Sequence, residues 1–252
     1  LTRSVADAKL VGAVMAGADM RDTAPLLAQG LAIDSLQSES LSNIRVGVLR
    51  RQIADRPEFS ELMPLFDGVL EKLIQAGANV VDPCDLPSAE QLQEVRSSVF
   101  RTEFKAALNS FLEEHASPCG ITSMSDLIAW NEAHAEHIPY GQSLLVASNE
   151  TKGLSDPDYI RDRLRDLALS RASGVNAALS MYDVDVLIAP MGAAAKLTGK
   201  AGVPVVAIPC GVTSNGIPFG ITVISKFGSD ARLLAIAEKI ESVVGGRKLP
   251  LV

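Results

Sequence analysis

The sequence predicts an α/β fold, and three observations carry that prediction. Residues 44–49 (IRVGVL) form a short apolar segment typical of a strand, residues 63–76 carry apolar side chains at helical spacing, and residues 79–81 begin a second strand. A strand, a helix and a strand within about 40 residues indicate a β-α-β unit with a parallel strand pair. Three further apolar segments predict more strands, at residues 184–189, 205–208 and 220–224.

Helices are predicted around these strands. Ser4 and Asp7 form a capping arrangement at the start of a helix that runs to about Ala16. Apolar periodicity predicts the other helices at residues 88–115, 125–136, 156–180 and 230–244. The Gly- and Ala-rich residues 190–202 predict a loop, and residues 19–43 predict a polar surface connection. No segment has the composition of an interdomain linker, so we expect one domain over residues 1–252.

The charge balance excludes some classes of partner. The 252 residues include 30 acidic and 23 basic side chains, for a net charge of −7. Nucleic acids and anionic membranes attract clustered Lys and Arg, so the sequence predicts neither as a partner. No apolar run approaches the roughly 18–20 residues that a membrane-spanning helix needs.

The three cysteines, Cys84, Cys119 and Cys210, cannot all pair and form no C-x-x-C motif. They predict free thiols in a reducing compartment. No secretory signal pattern is visible, so we expect a cytoplasmic location. The chain begins with Leu1 and not with Met.

A metal site is a weak possibility at one helix end. His134 and His137 lie three residues apart beside Glu132 and Glu136, but zinc needs a third and usually a fourth ligand. A solvated helix face explains the same residues. The chain has no glycine-rich phosphate loop. We therefore expect no metal and no cofactor, and the residues taken alone show no catalytic constellation.

Four segments together resemble the amidase signature family. Residues 1–7 (LTRSVAD) resemble its "L-x-R-S-V-x-D" segment, and residues 131–145 (NEAHAEHIPYGQSLL) resemble the "P-Y-x-G-Q" stretch of peptide-amidase-type members. Residues 185–190 (DVLIAP) are similar to the strand before the family's substrate pocket. Residues 202–221 match its C-terminal glycine- and proline-containing pattern.

The resemblance implies a mixed twisted β-sheet flanked by helices on both faces. It also implies hydrolysis of a small-molecule amide by a serine nucleophile, a second serine in a cis peptide, and a lysine base. A lysine can act as a base only when it is neutral, which requires a pKa lowered by burial. Backbone N–H groups of a glycine-rich loop would stabilise the oxyanion.

The family's lysine, serines and glycine-rich loop precede the "R-S-V-x-D" segment, with which this sequence begins. No Gly-Ser-Ser or Gly-Gly-Ser run occurs in the chain, so no catalytic residue is assigned to it. We expect the C-terminal half of an amidase, inactive alone. Its sheet would leave an exposed edge, covered by an N-terminal half or by a second copy of the chain.

Four residues are candidates for substrate contact. Met191 and Gly192 follow the strand ending in Ala189 and Pro190, where ligands of open α/β sheets bind. Tyr140 and Gln142 belong to the "P-Y-x-G-Q" resemblance. For each, a contact that only stabilises a loop is an equal alternative.

Two other functions stay open. The chain could be a non-catalytic binding or scaffold module completed by a partner chain. It could also belong to the A-type subunit of a tRNA-dependent amidotransferase, a member of the same family.

Overall fold

The computed structural model of the protein describes residues 1–19, 33, 40–54 and 56–247. Most of the predicted surface connection at 19–43 lies outside these residues. The chain divides into two compact units, the first comprising Leu1–Gln93 with Leu167–Val252 and the second comprising Glu94–Asp166. A single domain over residues 1–252 stays a prediction.

The elements are numbered in chain order. The first are α1 (Val5–Met15), β1 (Arg45–Val48), α2 (Met63–Gln75), β2 (Asn79–Val81) and α3 (Ala89–Glu94). Next come α4 (Val99–His115), α5 (Met124–Ala133), α6 (Ser143–Asn149) and α7 (Pro157–Leu167). A π-helical segment (Ala168–Asn176) leads into α8 (Ala177–Met181) and β3 (Val186–Pro190). The last elements are α9 (Ala195–Ala201), β4 (Val205–Val212), β5 (Pro218–Ile224) and α10 (Asp230–Val244).

Among the described residues, five strands form one mixed sheet in the order β2-β1-β3-β5-β4. The predicted β-α-β unit is confirmed, because β1 is parallel to β2, with Gly47 opposite Val81. β1 is also parallel to β3, whereas β5 is antiparallel to both of its neighbours. The parallel strands β1 and β3 therefore end at the same edge of the sheet.

The sheet has a hydrophobic core on each face, which confirms the predicted α/β class with helices on both sides. Side chains of β3 alternate between the two faces. Val186 and Ile188 belong to the core under α2 and α10. Leu187 and Ala189 belong to the core that includes residues of α8 and α9.

The structure corrects three of the predicted elements. The helix expected at 88–115 is two helices, α3 and α4. Residues 195–201 of the expected loop form α9. The strand predicted at 205–208 continues to Val212. A β-bulge between Pro209 and Gly211 shifts the register between β4 and β5, and the two strands stay paired beyond it.

Two predicted helix starts behave differently. The Ser4 side chain accepts a hydrogen bond from the Asp7 N–H, as the capping pattern predicts. Ser88, at the start of the helix predicted from residue 88, does not act as a cap of that kind. Its hydroxyl instead donates to the carbonyl of Leu169 in the π-helical segment at 2.6 Å.

In the second unit, α4 packs against α5 and α6. The buried carboxylate of Asp162 on α7 ties down the start of α4. Its Oδ2 accepts hydrogen bonds from both the N–H and the hydroxyl of Ser98 at 2.8 Å, and its Oδ1 lies 2.7 Å from Arg165 Nη2.

No helix in the described ranges combines the length and the apolar character needed to cross a bilayer.

Candidate functional site

Met191 is the first residue after β3, and its backbone has a φ of 49°, in the left-handed region. A residue other than glycine is uncommon there and needs support from its surroundings. The Met191 N–H donates to the Gly220 carbonyl at 2.8 Å, and the Met191 carbonyl accepts from Thr222 Oγ1 at 2.5 Å. The Met191 Sδ accepts from the Gly220 N–H at 3.3 Å. Strand β5 therefore sets the direction in which the chain leaves β3.

Gly220 permits this close packing. A Cβ at Gly220 would lie 2.6 Å from the carbonyl oxygen of Ile208 on β4, which is closer than real Cβ contacts come. Because β5 lies between β3 and β4, a side chain at this position would push β4 away. Glycine lets β5 hold Met191 on one side and β4 on the other.

A cavity of about 400 Å³ lies beside Met191 in the first unit. Polar side chains reach it from two segments: Glu58 and Glu61 ahead of α2, and the turn at 213–215 between β4 and β5. The pKa of Glu58 is lowered by a hydrogen bond from its own backbone N–H and by Arg56, whose Nε lies 2.8 Å from its carboxylate. Carboxylates accept hydrogen bonds, so this side of the cavity suits a ligand with N–H donors, such as an amide.

Gly192 follows Met191 and is exposed. A Cβ built at Gly192 would meet no atom within 4 Å. The space around it is therefore open, and a side chain could be added there without disturbing the fold. Met191 lines the 400 Å³ cavity, whereas Gly192 is not among its lining residues.

The other two candidates, Tyr140 and Gln142, lie in the second unit. Tyr140 is fully exposed. The Gln142 side chain accepts a hydrogen bond from the buried Asn131 at 3.0 Å and donates to the carbonyl of Ile128 at 3.2 Å. Gln142 thus stabilises the loop by holding it against α5. Its contact with a substrate stays a prediction.

The two histidines considered for a metal site lie in a stack of rings. The rings of Trp130 and His134 are nearly parallel, with centroids 4.1 Å apart, and the ring of His137 lies 6.4 Å from each. His134 Nδ1 lies 2.7 Å from the carbonyl of Trp130. Within the described residues, no group of three or more His, Cys, Asp or Glu could hold a metal ion.

Two lysines have polar contacts that fix backbone segments. Lys105 Nζ donates to the carbonyls of Asn149 and Thr151 at 2.6 and 2.9 Å. Lys72 Nζ donates to the carbonyl of Val244 at 3.1 Å. A lysine base would direct its nitrogen toward a serine hydroxyl, so these contacts favour a structural role for both residues.

Sequence reasoning missed a second cavity, which is lined by basic side chains. Two of these, Lys196 and Lys200, belong to α9, in the segment expected to be a loop. A signal for this helix is present in the sequence. Ala, Lys and Leu are good helix formers, and Lys196 and Lys200 lie four residues apart, as side chains on one helix face do.

Comparison with known proteins decides the family. Residues 1–202 match the family model described as Amidase. The chain belongs to the amidase family. The resemblance seen in the four sequence segments is confirmed.

Curated relatives match along nearly the whole chain. A probable amidase of Arabidopsis thaliana is 24% identical over 263 residues, which cover 99% of this chain and 49% of that protein. The A-type subunit of the glutamyl-tRNA(Gln) amidotransferase of Synechococcus is 25% identical over 285 residues, covering 99% of this chain and 55% of that protein. The amidase chain spans about half the length of the curated relatives it matches.

Solved structures show the same fold. A peptide amidase in complex with the competitive inhibitor chymostatin superposes with a TM-score of 0.86 at 31% identity, over 100% of this chain and 54% of that one. The native peptide amidase of Stenotrophomonas maltophilia gives 0.84 at 31% identity, over 99% of this chain and 54% of that one. An amidase family protein of Bacillus anthracis has the same fold at 22% identity, with a TM-score of 0.83 over 100% of this chain and 49% of that one.

Proposed function

We propose that this chain forms the C-terminal, substrate-holding part of an amidase that cleaves the C–N bond of a carboxamide. The main support is the 31% identity to a peptide amidase over the full length of the chain, with a TM-score of 0.86. The cavity beside Met191 supports the same function, because it opens at the end of β3 and carries hydrogen-bond acceptors for an amide.

In this proposal the chemistry is done by groups outside these 252 residues. A serine attacks the carbonyl carbon, and its proton passes through the second serine to a neutral lysine. The C–N bond breaks, the nitrogen leaves as ammonia or an amine after taking up a proton, and water hydrolyses the acyl-serine. The chain described here lines the cleft and has no activity alone.

The A-type subunit of an amidotransferase is the second candidate, supported by the 25% identity to the Synechococcus protein. We favour a peptide-amidase type of hydrolase. Superposition on the peptide amidase gives a TM-score of 0.86, whereas superposition on the corresponding amidotransferase subunit of Thermotoga maritima gives 0.59.

A partner is part of the proposal. Strand β4 (VVAIPCGV) has no charged residue, and in the described sheet it pairs with β5 alone. Its side chains Val205 and Val212 are exposed. Sheet edges in monomers usually carry charged residues or a covering element. We infer that the N-terminal part of the amidase, or a second copy of this chain, covers the β4 edge.

Three free cysteines support a reducing compartment, and we infer a cytoplasmic location from them.

The candidate substrate contact at Gly192, next to the cavity, can be tested in the complete reading frame that contains these residues. Gly192→Leu fills the open space after β3 without a clash, so we expect the KM for a peptide amide to rise while the melting temperature is unchanged. Gly199→Leu is the matched control, because Gly199 on α9 also has open space around it. Equal KM values for the two variants would contradict a substrate contact at Gly192. A complete protein that hydrolyses no amide would instead support the non-catalytic scaffold.

A further inference from the structure

A second cavity lies at the same end of the sheet, and its walls are basic. It has a volume of about 270 Å³ in the first unit. Four of its lining residues are cationic: Arg51, Arg56, Lys196 and Lys200. Among the described residues that line it, none is acidic. The chain as a whole has a net charge of −7, so the positive charge of this cavity is opposite in sign to that of the chain.

The sheet topology explains why these side chains meet. Arg51 and Arg56 lie in the segment that follows β1, and Lys196 and Lys200 lie on α9, which follows β3. Since β1 and β3 are parallel neighbours, both segments leave the sheet at the same edge. Ligands of open α/β sheets bind at this edge.

The existing ion pairs leave Arg51, Arg56 and Lys196 available to a ligand. Arg51 Nη2 lies 3.1 Å from Glu90, and Arg56 Nε lies 2.8 Å from Glu58. Both pairs are largely solvent-exposed, and such pairs contribute little free energy, so a bound anion can replace or share them. Lys196 is exposed and forms no ion pair with any described residue.

The remaining wall combines apolar side chains with two glutamines, Gln52 and Gln93. Apolar side chains contribute much of the surface, from residues Ala89, Leu92, Ala193 and Leu197.

We propose that this cavity binds a small organic carboxylate that has an apolar body, the class that includes N-acylated amino acids. Arginine donates two parallel hydrogen bonds to a carboxylate, and Lys196 supplies a further positive charge. The apolar wall accommodates the side chain of the ligand. The proposal rests on the contacts of this cavity and does not depend on the proposed amide hydrolysis.

Calorimetric titration of the 252-residue chain tests this site with two probes, one charged and one neutral. N-acetyl-leucine carries the carboxylate, and N-acetyl-leucinamide is its neutral counterpart. We expect binding of the carboxylate only, and weaker binding as sodium chloride is raised, because salt screens the exposed cations. Equal binding of the two probes would overturn the proposal. Inorganic phosphate that binds as tightly as N-acetyl-leucine would also overturn it, since the cavity would then recognise charge alone.

Two substitutions test whether N-acetyl-leucine binds in this cavity. Lys196→Gln removes an exposed charge from the cavity, and we expect the Kd for N-acetyl-leucine to rise about fivefold, as the loss of one exposed ion pair implies. Lys226→Gln makes the same change at an exposed lysine that does not line the cavity, and its Kd should match that of the unmodified chain. Circular dichroism establishes that both variants are folded. Equal Kd values for the two variants would place the binding elsewhere and overturn the proposal.

Discussion

The hydroxyl of Thr222 donates a hydrogen bond of 2.5 Å to the carbonyl of Met191. This bond joins the middle of β5 to the residue that leaves β3 with a positive φ. Because the same strand also holds the Met191 N–H through Gly220, the backbone at the candidate site is fixed from two directions.

The first prediction concerns this hydrogen bond. Thr222→Val keeps the shape of the side chain and removes the donor, so the Met191 carbonyl loses its partner. We expect the free energy of unfolding to fall by about 1–2 kcal/mol, measured by urea denaturation. Thr222→Ser keeps the hydroxyl and serves as the control. If the two variants are equally stable, the hydrogen bond does not support the turn.

The second prediction concerns Asp162, where α7 meets the start of α4. Burial would raise the pKa of this carboxyl, but the hydrogen bonds from Ser98 and the nearby Arg165 outweigh it, so the pKa is lowered. Asp162→Ala leaves the Ser98 donors unpaired, and we expect a loss of about 2–3 kcal/mol in the free energy of unfolding. Asp158→Ala is the control, because the ion pair of Asp158 with Arg161 is exposed and should contribute little.

The lowered pKa also sets the sign of the pH dependence. An acid with a lower pKa in the folded state contributes stability above its unfolded pKa, about 3.9 for Asp. That contribution is lost as the pH falls through the pKa of Asp162 in the folded state. The stability difference between the unmodified chain and Asp162→Ala should therefore shrink as the pH drops below about 4. A difference that is constant from neutral pH down to strongly acidic pH would contradict the role of the charge.

The third prediction concerns the cysteines. Burial raises the pKa of the Cys84 thiol to about 12, with a further contribution from the negative charge of Asp85. Burial also raises the pKa of Cys210 to about 11, against a hydrogen bond from Ile221 and the charge of Lys72. The thiolate is the reactive form, so at about pH 8 iodoacetamide should label the exposed Cys119 and leave the other two unmodified. Mass spectrometry of the labelled chain checks this, and rapid labelling of Cys84 in the folded protein would contradict it.

A raised thiol pKa also makes stability depend on pH. The unfolded Cys84 ionises near its ordinary pKa, about 8.5, while the folded thiol stays neutral. Stability from this group is complete below that value and is lost as the pH rises toward about 12. Between about pH 8 and pH 11, the melting temperature of the unmodified chain should fall more steeply than that of Cys84→Ala.

The fourth prediction concerns the β4 edge. We expect the isolated chain to self-associate as its concentration rises, because the edge has unpaired backbone groups and apolar side chains. Val212→Lys places a charge on the edge and should shift the chain toward monomer in sedimentation velocity. Ile74→Lys makes the same change at an exposed position on α2 and should leave the association unchanged. A chain that remains strictly monomeric at high concentration would contradict the expected partner.

Local patterns were enough to predict the sheet and most helices. The bounds of α10 agree with the prediction. The two signals that define this helix, its apolar spacing and the glycine after Val244, both lie in the local sequence. The break between α3 and α4 is different. Ser97 and Ser98 donate hydrogen bonds to Asp166 and Asp162, which are 69 and 64 residues away in sequence, and no local pattern reveals these bonds.

The candidate site was predictable only in part. Met191 was indicated by the resemblance to the amidase family and by the tendency of ligands to bind at the carboxyl ends of strands. In the structure, Met191 lines a cavity. Its positive φ was not predictable, because it depends on hydrogen bonds from β5. The basic cavity was missed because Arg51 and Lys196 are far apart in sequence and meet only when β1 and β3 pair.

The central proposal is that this chain lines the cleft and that the catalytic groups lie outside it. Ammonia release from a peptide amide, measured with the purified 252-residue chain, tests it most directly. We predict no release above the rate without protein, because the chain has no Gly-Ser-Ser run and, in our proposal, contributes the cleft and not the nucleophile. Ammonia release that is proportional to chain concentration, and that a serine-directed reagent abolishes, would contradict it.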